Sequence, residues 1–145
     1  MGRFLDAQGS QNASYTTSIS IPVTTTPTVF GSLGLDISGA AGGTVGVNLQ
    51  ATVTLASITA VSGIVNLSII RNGSTLVYSS AITTPGTLFA TFDAKLTAFD
   101  HNIPTTPNFL TYEVRIRAVD ADGSSGVNLQ RVGPESFTAI AYVSP

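Results

Sequence analysis

The chain has 145 residues, 43% hydrophobic and only 10% charged, with a formal net charge of −2 and no cysteine. A single domain of this length holds a real core without disulfides or metal, and the absence of cysteine excludes thiol catalysis and thiolate metal sites. The charged fraction lies far below the ~25% usual in soluble domains, and a weakly acidic balance offers no electrostatic footprint for nucleic acid or an anionic membrane.

Residues 1–18 read as an N-terminal arm or connector. The run from Asp6 to Ser14 is small and polar, with too little apolar surface to offset the entropy of ordering itself. Phe4 and Leu5 are its bulky apolar pair and the expected anchors, either on the arm's own domain or on a neighbouring subunit. The opening Met1-Gly2-Arg3-Phe4-Leu5-Asp6 lacks the apolar core of a secretory leader. Synthesis in a cytoplasm without a signal peptide is the expectation. No run approaches the ~20 apolar residues of a membrane-spanning helix.

Residues 19–145 read as one β domain. Ile19, Ile21 and Val23 alternate inward, with Pro22 marking an edge position because it cannot donate to a ladder. Thr28 to Ile37 places Val29, Leu33, Leu35 and Ile37 on one side, interrupted by Gly31. Ser38 to Gly43 is a turn of small residues. From Thr44 to Leu55 every odd position is apolar (Val45, Val47, Leu49, Ala51, Val53, Leu55). That strict two-residue period means a strand with one dry face and one presented face.

Gly63 to Arg71 and Ser74 to Ile82 flank Asn72-Gly73, a hairpin signal because its turn needs positive φ at both positions. Pro85-Gly86 turns the chain into a strand from Thr87 to Phe92. Asp93 to Pro107 is the longest irregular stretch, with a short helical turn at Ala94 to Phe99. Asn108 to Asp120 alternates again, with Leu110, Tyr112, Val114, Ile116 and Ala118 on one face and Thr111, Glu113, Arg115 and Arg117 on the other. Asp120 to Gly126 is a loop, and Glu135 to Val143 the final strand. Eight or nine short strands between turn signals predict a sandwich or barrel.

The search for chemistry finds little. His101 is the single histidine and follows Asp100, but sequence neighbours rarely take the orientation a base and its partner need. It reads as a solvated loop residue. One histidine and no cysteine make no zinc site within one chain. Asp120-x-Asp122-Gly123 has the opening of a calcium loop but no closing Glu, since Gln130 and Arg131 fall there. A hairpin loop whose aspartates bond their own backbone accounts for it. No catalytic, cofactor-binding or metal-binding residue is assigned, and the chain is not expected to be an enzyme.

Assembly is better supported. Glu113, Arg115 and Arg117 form a charged row on one strand face of a charge-poor protein, a candidate subunit contact. Such exposed charges supply specificity rather than stability. Elsewhere Thr, Ser and Asn cover the strands without edge lysines, which leaves edges open to pairing with another copy.

Val65 to Ser79, with its strand, Arg71-Asn72-Gly73 turn and second strand, resembles the hairpin of tumour-necrosis-factor/C1q-type jelly rolls found in Bacillus-group spore-surface proteins. Asp100 to Ala118, a Pro-containing loop leading into Tyr112-Glu113-Val114-Arg115-Ile116-Arg117-Ala118, is similar to their late Tyr-containing strand. Arg3-Phe4-Leu5-Asp6 and Ser20 to Val29 look like the leader of exosporium protein C-like proteins. The resemblance implies an antiparallel jelly-roll β-sandwich with an extended N-terminal arm. It further implies a self-assembling subunit of a spore-coat, exosporium or appendage layer, with itself and other spore-surface proteins as partners. Many such subunits are cross-linked through cysteines, which this chain lacks. Phe4 and Leu5 would anchor the arm, residues 19–24 would be an edge or donated strand, and Glu113, Arg115 and Arg117 would face a neighbour. Two other expectations compete: a trimeric binding module with His101, Asp120 and Asp122 near a ligand or ion, and a phage or virus capsid or fibre protein.

Overall fold

A computed structural model of the chain describes residues 2–58, 62–84, 91–104, 108–120 and 129–144. Within them lie nine strands: β1 (Arg3–Ala13), β2 (Ile21–Pro22), β3 (Thr28–Asp36), β4 (Thr44–Ser57), β5 (Gly63–Arg71), β6 (Thr75–Thr83), β7 (Thr91–Asp100), β8 (Phe109–Asp120) and β9 (Leu129–Ser144). A 3-10 turn at Ser38–Ala40 precedes β4. One sheet runs β1-β9-β4-β7, with β2 also on β9, and the other runs β3-β8-β5-β6. All pairs are antiparallel. From β2 onward the chain changes sheet at every step except the β5–β6 hairpin. This interleaving is the jelly-roll β-sandwich.

The core lies between the sheets and follows the two-residue period. On β4, Val47, Leu49, Val53 and Leu55 are fully buried, as are Leu110, Tyr112, Val114 and Ile116 on β8. Each such side chain contributes roughly 1.5–3 kcal/mol, so these two strands hold the sheets together. At the hairpin, Asn72 and Gly73 have φ of 53° and 78°. Ser74 N donates to the Arg71 carbonyl at 3.2 Å. Asn72 Oδ1 also accepts from the Thr111 amide at 3.0 Å, tying the turn to β8.

Four sequence expectations need correction. The segment Ala94 to Phe99 is not a helical turn but part of β7, paired with β4 from Val47–Asp100 to Ala56–Thr91. Ala94, Leu96, Ala98 and Asp100 are buried at every second position; sheet packing overrides the helical preference of Ala, Lys and Leu. On β3, a register shift between Val29 and Gly31 reverses the inward face, so Phe30 is buried and Val29 is 44% exposed. A Cβ at Gly31 would lie 2.8 Å from Phe137 Cβ, which is why a glycine stands at this bulge. Third, Ile21 does not point inward: it is 40% exposed in a two-residue strand, whereas Val23 is buried. The final strand also begins earlier than Glu135, at Leu129. The Pro85-Gly86 turn, the start of the next strand at Thr87 and most of the loop from Asp120 to Gly126 lie outside the described residues.

Candidate functional site

The edge of the first sheet carries the N-terminal segment. β1 pairs with β9 from Arg3–Val143 to Ala13–Glu135, and β2 resumes on β9 at Ile21–Arg131 and Pro22–Gln130. On the other side of β9, β4 jumps from Val53–Glu135 to Leu55–Arg131. Val132, Gly133 and Pro134 therefore bulge out, and the segment between β1 and β2 packs at this bulge. A Cβ at Gly133, whose φ is +84°, would lie 2.7 Å from the Tyr15 carbonyl. β1 and β2 are two halves of one edge strand, separated by residues 14–20.

β1 is held mainly by its main chain. Ala13 is its single buried residue; Leu5 is half-buried against the core, and Phe4 is 62% exposed. Three polar side chains clip it down. Arg3 Nη2 donates to the Gly39 carbonyl at 2.7 Å, and Asp6 Oδ2 accepts from the Asp36 amide at 2.9 Å. Asn12 Nδ2 donates to the Phe30 carbonyl at 2.6 Å and to Glu135 Oε1 at 3.1 Å. Asp36 itself, exposed, is held below the usual carboxylate range because it accepts hydrogen bonds from Ser38.

The charged row sits elsewhere. Glu113, Arg115 and Arg117 share the outer face of β8, in the second sheet, and do not join Phe4 and Leu5. Glu113 and Arg115 pair at 3.4 Å. Arg117 Nε donates to the Thr25 carbonyl at 3.1 Å, and the Ala118 amide donates to the Thr24 carbonyl at 3.0 Å. Half-exposed pairs of this kind contribute ~0–1 kcal/mol. Ile19 is half-buried, and its amide donates to the Val132 carbonyl at 3.3 Å.

Two buried polar clusters escape the sequence. In one, Asp100 accepts from Arg71 Nη1 at 2.8 and 2.7 Å and from the Tyr112 hydroxyl at 2.7 Å. Burial, and then the adjoining Asp100 carboxylate, raise the Tyr112 phenol above its ordinary range, so it acts as a fixed donor. Asp100 thus faces inward and does not orient His101, which is exposed with its ring 5.9 Å from Phe99. In the other, Arg131 and Glu135 form a bidentate pair, each under 5% exposed, with Arg131 5.8 Å from the Phe30 ring centre. The available signal is parity: Arg71 continues the inward series Val65, Leu67, Ile69, and Arg131 and Glu135 share the parity of Phe137. Among the described residues no three His, Cys, Asp or Glu gather as metal ligands. Asp120 ends β8, and Asp122 lies outside the described residues.

In sequence, no family model and no curated protein matches the chain. Solved structures share its fold. Dimeric latent PorU from Porphyromonas gingivalis superposes with a TM-score of 0.59 at 11% identity, over 99% of this chain and 13% of PorU. A protein of the T13 particle of infectious bursal disease virus gives 0.51 at 12%, over 98% of this chain and 36% of the viral one. A protein of Bacillus endospore appendages, described as disulfide-linked pili, gives 0.42 at 12%, over 100% and 92%. The chain therefore spans a minor part of the first two proteins, and the likeness to those two is one of fold.

Proposed function

We propose that the chain is a non-enzymatic, self-assembling structural subunit of a spore or cell-surface layer or fibre, with its N-terminal strand engaging a neighbouring subunit. The observation that carries this is how β1 is held: eleven residues on a main-chain ladder, with one buried side chain. A second copy presents the same main chain and the same Arg3, Asp6 and Asn12, so exchange of β1 between copies preserves its contacts. The connecting residues 14–20 are exposed apart from the half-buried Ile19. At about 3.3 Å per residue they span roughly 23 Å when extended, ample for a crossing between neighbours.

The surface supports the same function. Edge strand β6 runs nine residues, Thr75–Thr83, without a charge or a proline, and so lacks the usual barriers to lateral pairing. The row Glu113, Arg115 and Arg117 adds a specific charged face. The resemblance of the hairpin and leader to spore-surface jelly rolls supports a place at the spore surface.

The test is negative-stain electron microscopy of the full chain beside a variant lacking residues 1–18, with circular dichroism to verify folding. Filaments or sheets from the full chain, and isolated folded particles from the deletion, are the expected result. Uniform monomeric particles from the full chain over a wide concentration range would refute self-assembly.

A further inference from the structure

The outer face of the first sheet carries a second feature, distinct from the main-chain ladder that holds β1. A groove of about 640 Å³ crosses it, lined by β1, β9, β4 and β7 and by no charged residue. Four strands at about 4.8 Å spacing give it a length of roughly 14 Å. The strand register arranges its side chains in rows. Ala7, Ile140, Asn48 and Phe99 stand side by side across the sheet, and Gly9, Thr138, Gln50 and Thr97 form the next row.

Aromatic residues on the same sheet face flank the groove. Phe4 lies opposite Tyr142, which lies opposite Gly46. The Phe99 and Tyr142 rings stack at 6.3 Å with 25° between their planes, and Phe99 is 52% exposed. A Cβ at Gly46 would lie 2.9 Å from Phe99 Cζ and 3.4 Å from Tyr142 Cε2. The bare backbone there lets both rings lie over the strand.

We infer that this groove binds a neutral oligosaccharide. The exposed Phe99 ring beside the groove supplies an apolar surface for the C–H groups of a sugar ring. The amides of Asn48 and Gln50 and the hydroxyls of Thr97 and Thr138 each donate and accept hydrogen bonds, as a polyol requires. Both amide side chains are exposed, so their hydrogen bonds are free to be exchanged from water to ligand. The absence of charge along the groove selects against phosphorylated or carboxylated ligands and matches an uncharged one. The elongated shape across four strands fits a linear chain rather than a single sugar. A groove of this volume lies within the range of small-ligand sites.

The test is titration calorimetry of the full-length protein with cellohexaose, xylohexaose and chitohexaose, together with the side-chain amide resonances of Asn48 and Gln50. Saturable binding of at least one hexasaccharide is expected, with those resonances shifting. Phe99→Ala and Asn48→Ala should each weaken it about tenfold, equivalent to about 1.4 kcal/mol. Both positions are exposed, so folding should persist, and Ser79→Ala on the opposite sheet should leave binding unchanged. No heat and no shift with all three sugars would overturn the inference. So would Phe99→Ala abolishing self-association of a protein that binds none of them, which would make the face a protein interface.

Discussion

Removing the carboxylate of Glu135 should be among the most damaging single changes available. The side chain is 1% exposed. It accepts from Arg131 Nε at 2.9 Å, from Arg131 Nη2, and from Asn12 Nδ2 at 3.1 Å. Glu135→Ala leaves the Arg131 guanidinium, itself 4% exposed, without its counter-charge beside the Phe30 ring. Breaking one partner of a buried pair costs about 3–5 kcal/mol. For a domain of this size, that lowers Tm by roughly 6–20 °C. The remedy is equally specific. Arg131→Met combined with Glu135→Leu removes both charges together, and such exchanges are neutral or stabilising by ~1–4 kcal/mol. Asn12 then keeps its bond to the Phe30 carbonyl. Urea denaturation of wild type, single and double variants gives the three free energies. A single variant within about 1 kcal/mol of wild type, or a double variant no better than the single, would refute the reasoning.

Other outcomes follow from particular contacts. Gly31→Ala sets a methyl group 2.8 Å from Phe137 Cβ and 3.1 Å from Val114 Cγ1, costing about 1–3 kcal/mol. The urea midpoint should fall with the slope unchanged. Tyr112 is protonated more firmly in the folded chain than in the unfolded one, where a tyrosine titrates near pH ~10. The stability it contributes is thus complete below that pH and is lost as pH rises further, by up to ~1.4 kcal/mol per unit. Urea midpoints between about pH 8 and 11 should show a shallower alkaline decline in Tyr112→Phe, by about one proton. Amides of β1 should exchange with deuterium faster than those of β4 by orders of magnitude, because so little of β1 is buried. Equal protection by mass spectrometry would show that β1 is not readily released.

Much of the architecture was legible because burial on one face writes itself as a period of two. β4 and β8 match their sequence patterns almost residue for residue, and Asn72-Gly73 makes its turn. The failures have local causes. A one-residue bulge at Phe30 flips a strand's phase with no change in composition, and the Ala, Lys and Leu of β7 favour a helix when read alone. Buried charges mislead most. Arg131 looks like a loop residue until its pairing with Glu135 is seen, so the sequence alone starts the final strand at Glu135 rather than Leu129. The candidate site was only half visible: Phe4 and Leu5 mark the segment, but nothing local to residues 3–13 names β9 as their partner. That information lies some 130 positions away in the register.

The placement of β9 also sets a timetable. It follows all the other described strands in sequence, yet it lies between β1 and β4 in the first sheet. As the polypeptide emerges during synthesis, β1 has no ladder partner in its own molecule until β9 leaves the ribosome. The sheet cannot close progressively from its N-terminal end, and long-range pairing of this kind is slow. Until β9 has been made, each growing chain carries a β1 without its ladder partner and no edge to receive another copy's β1.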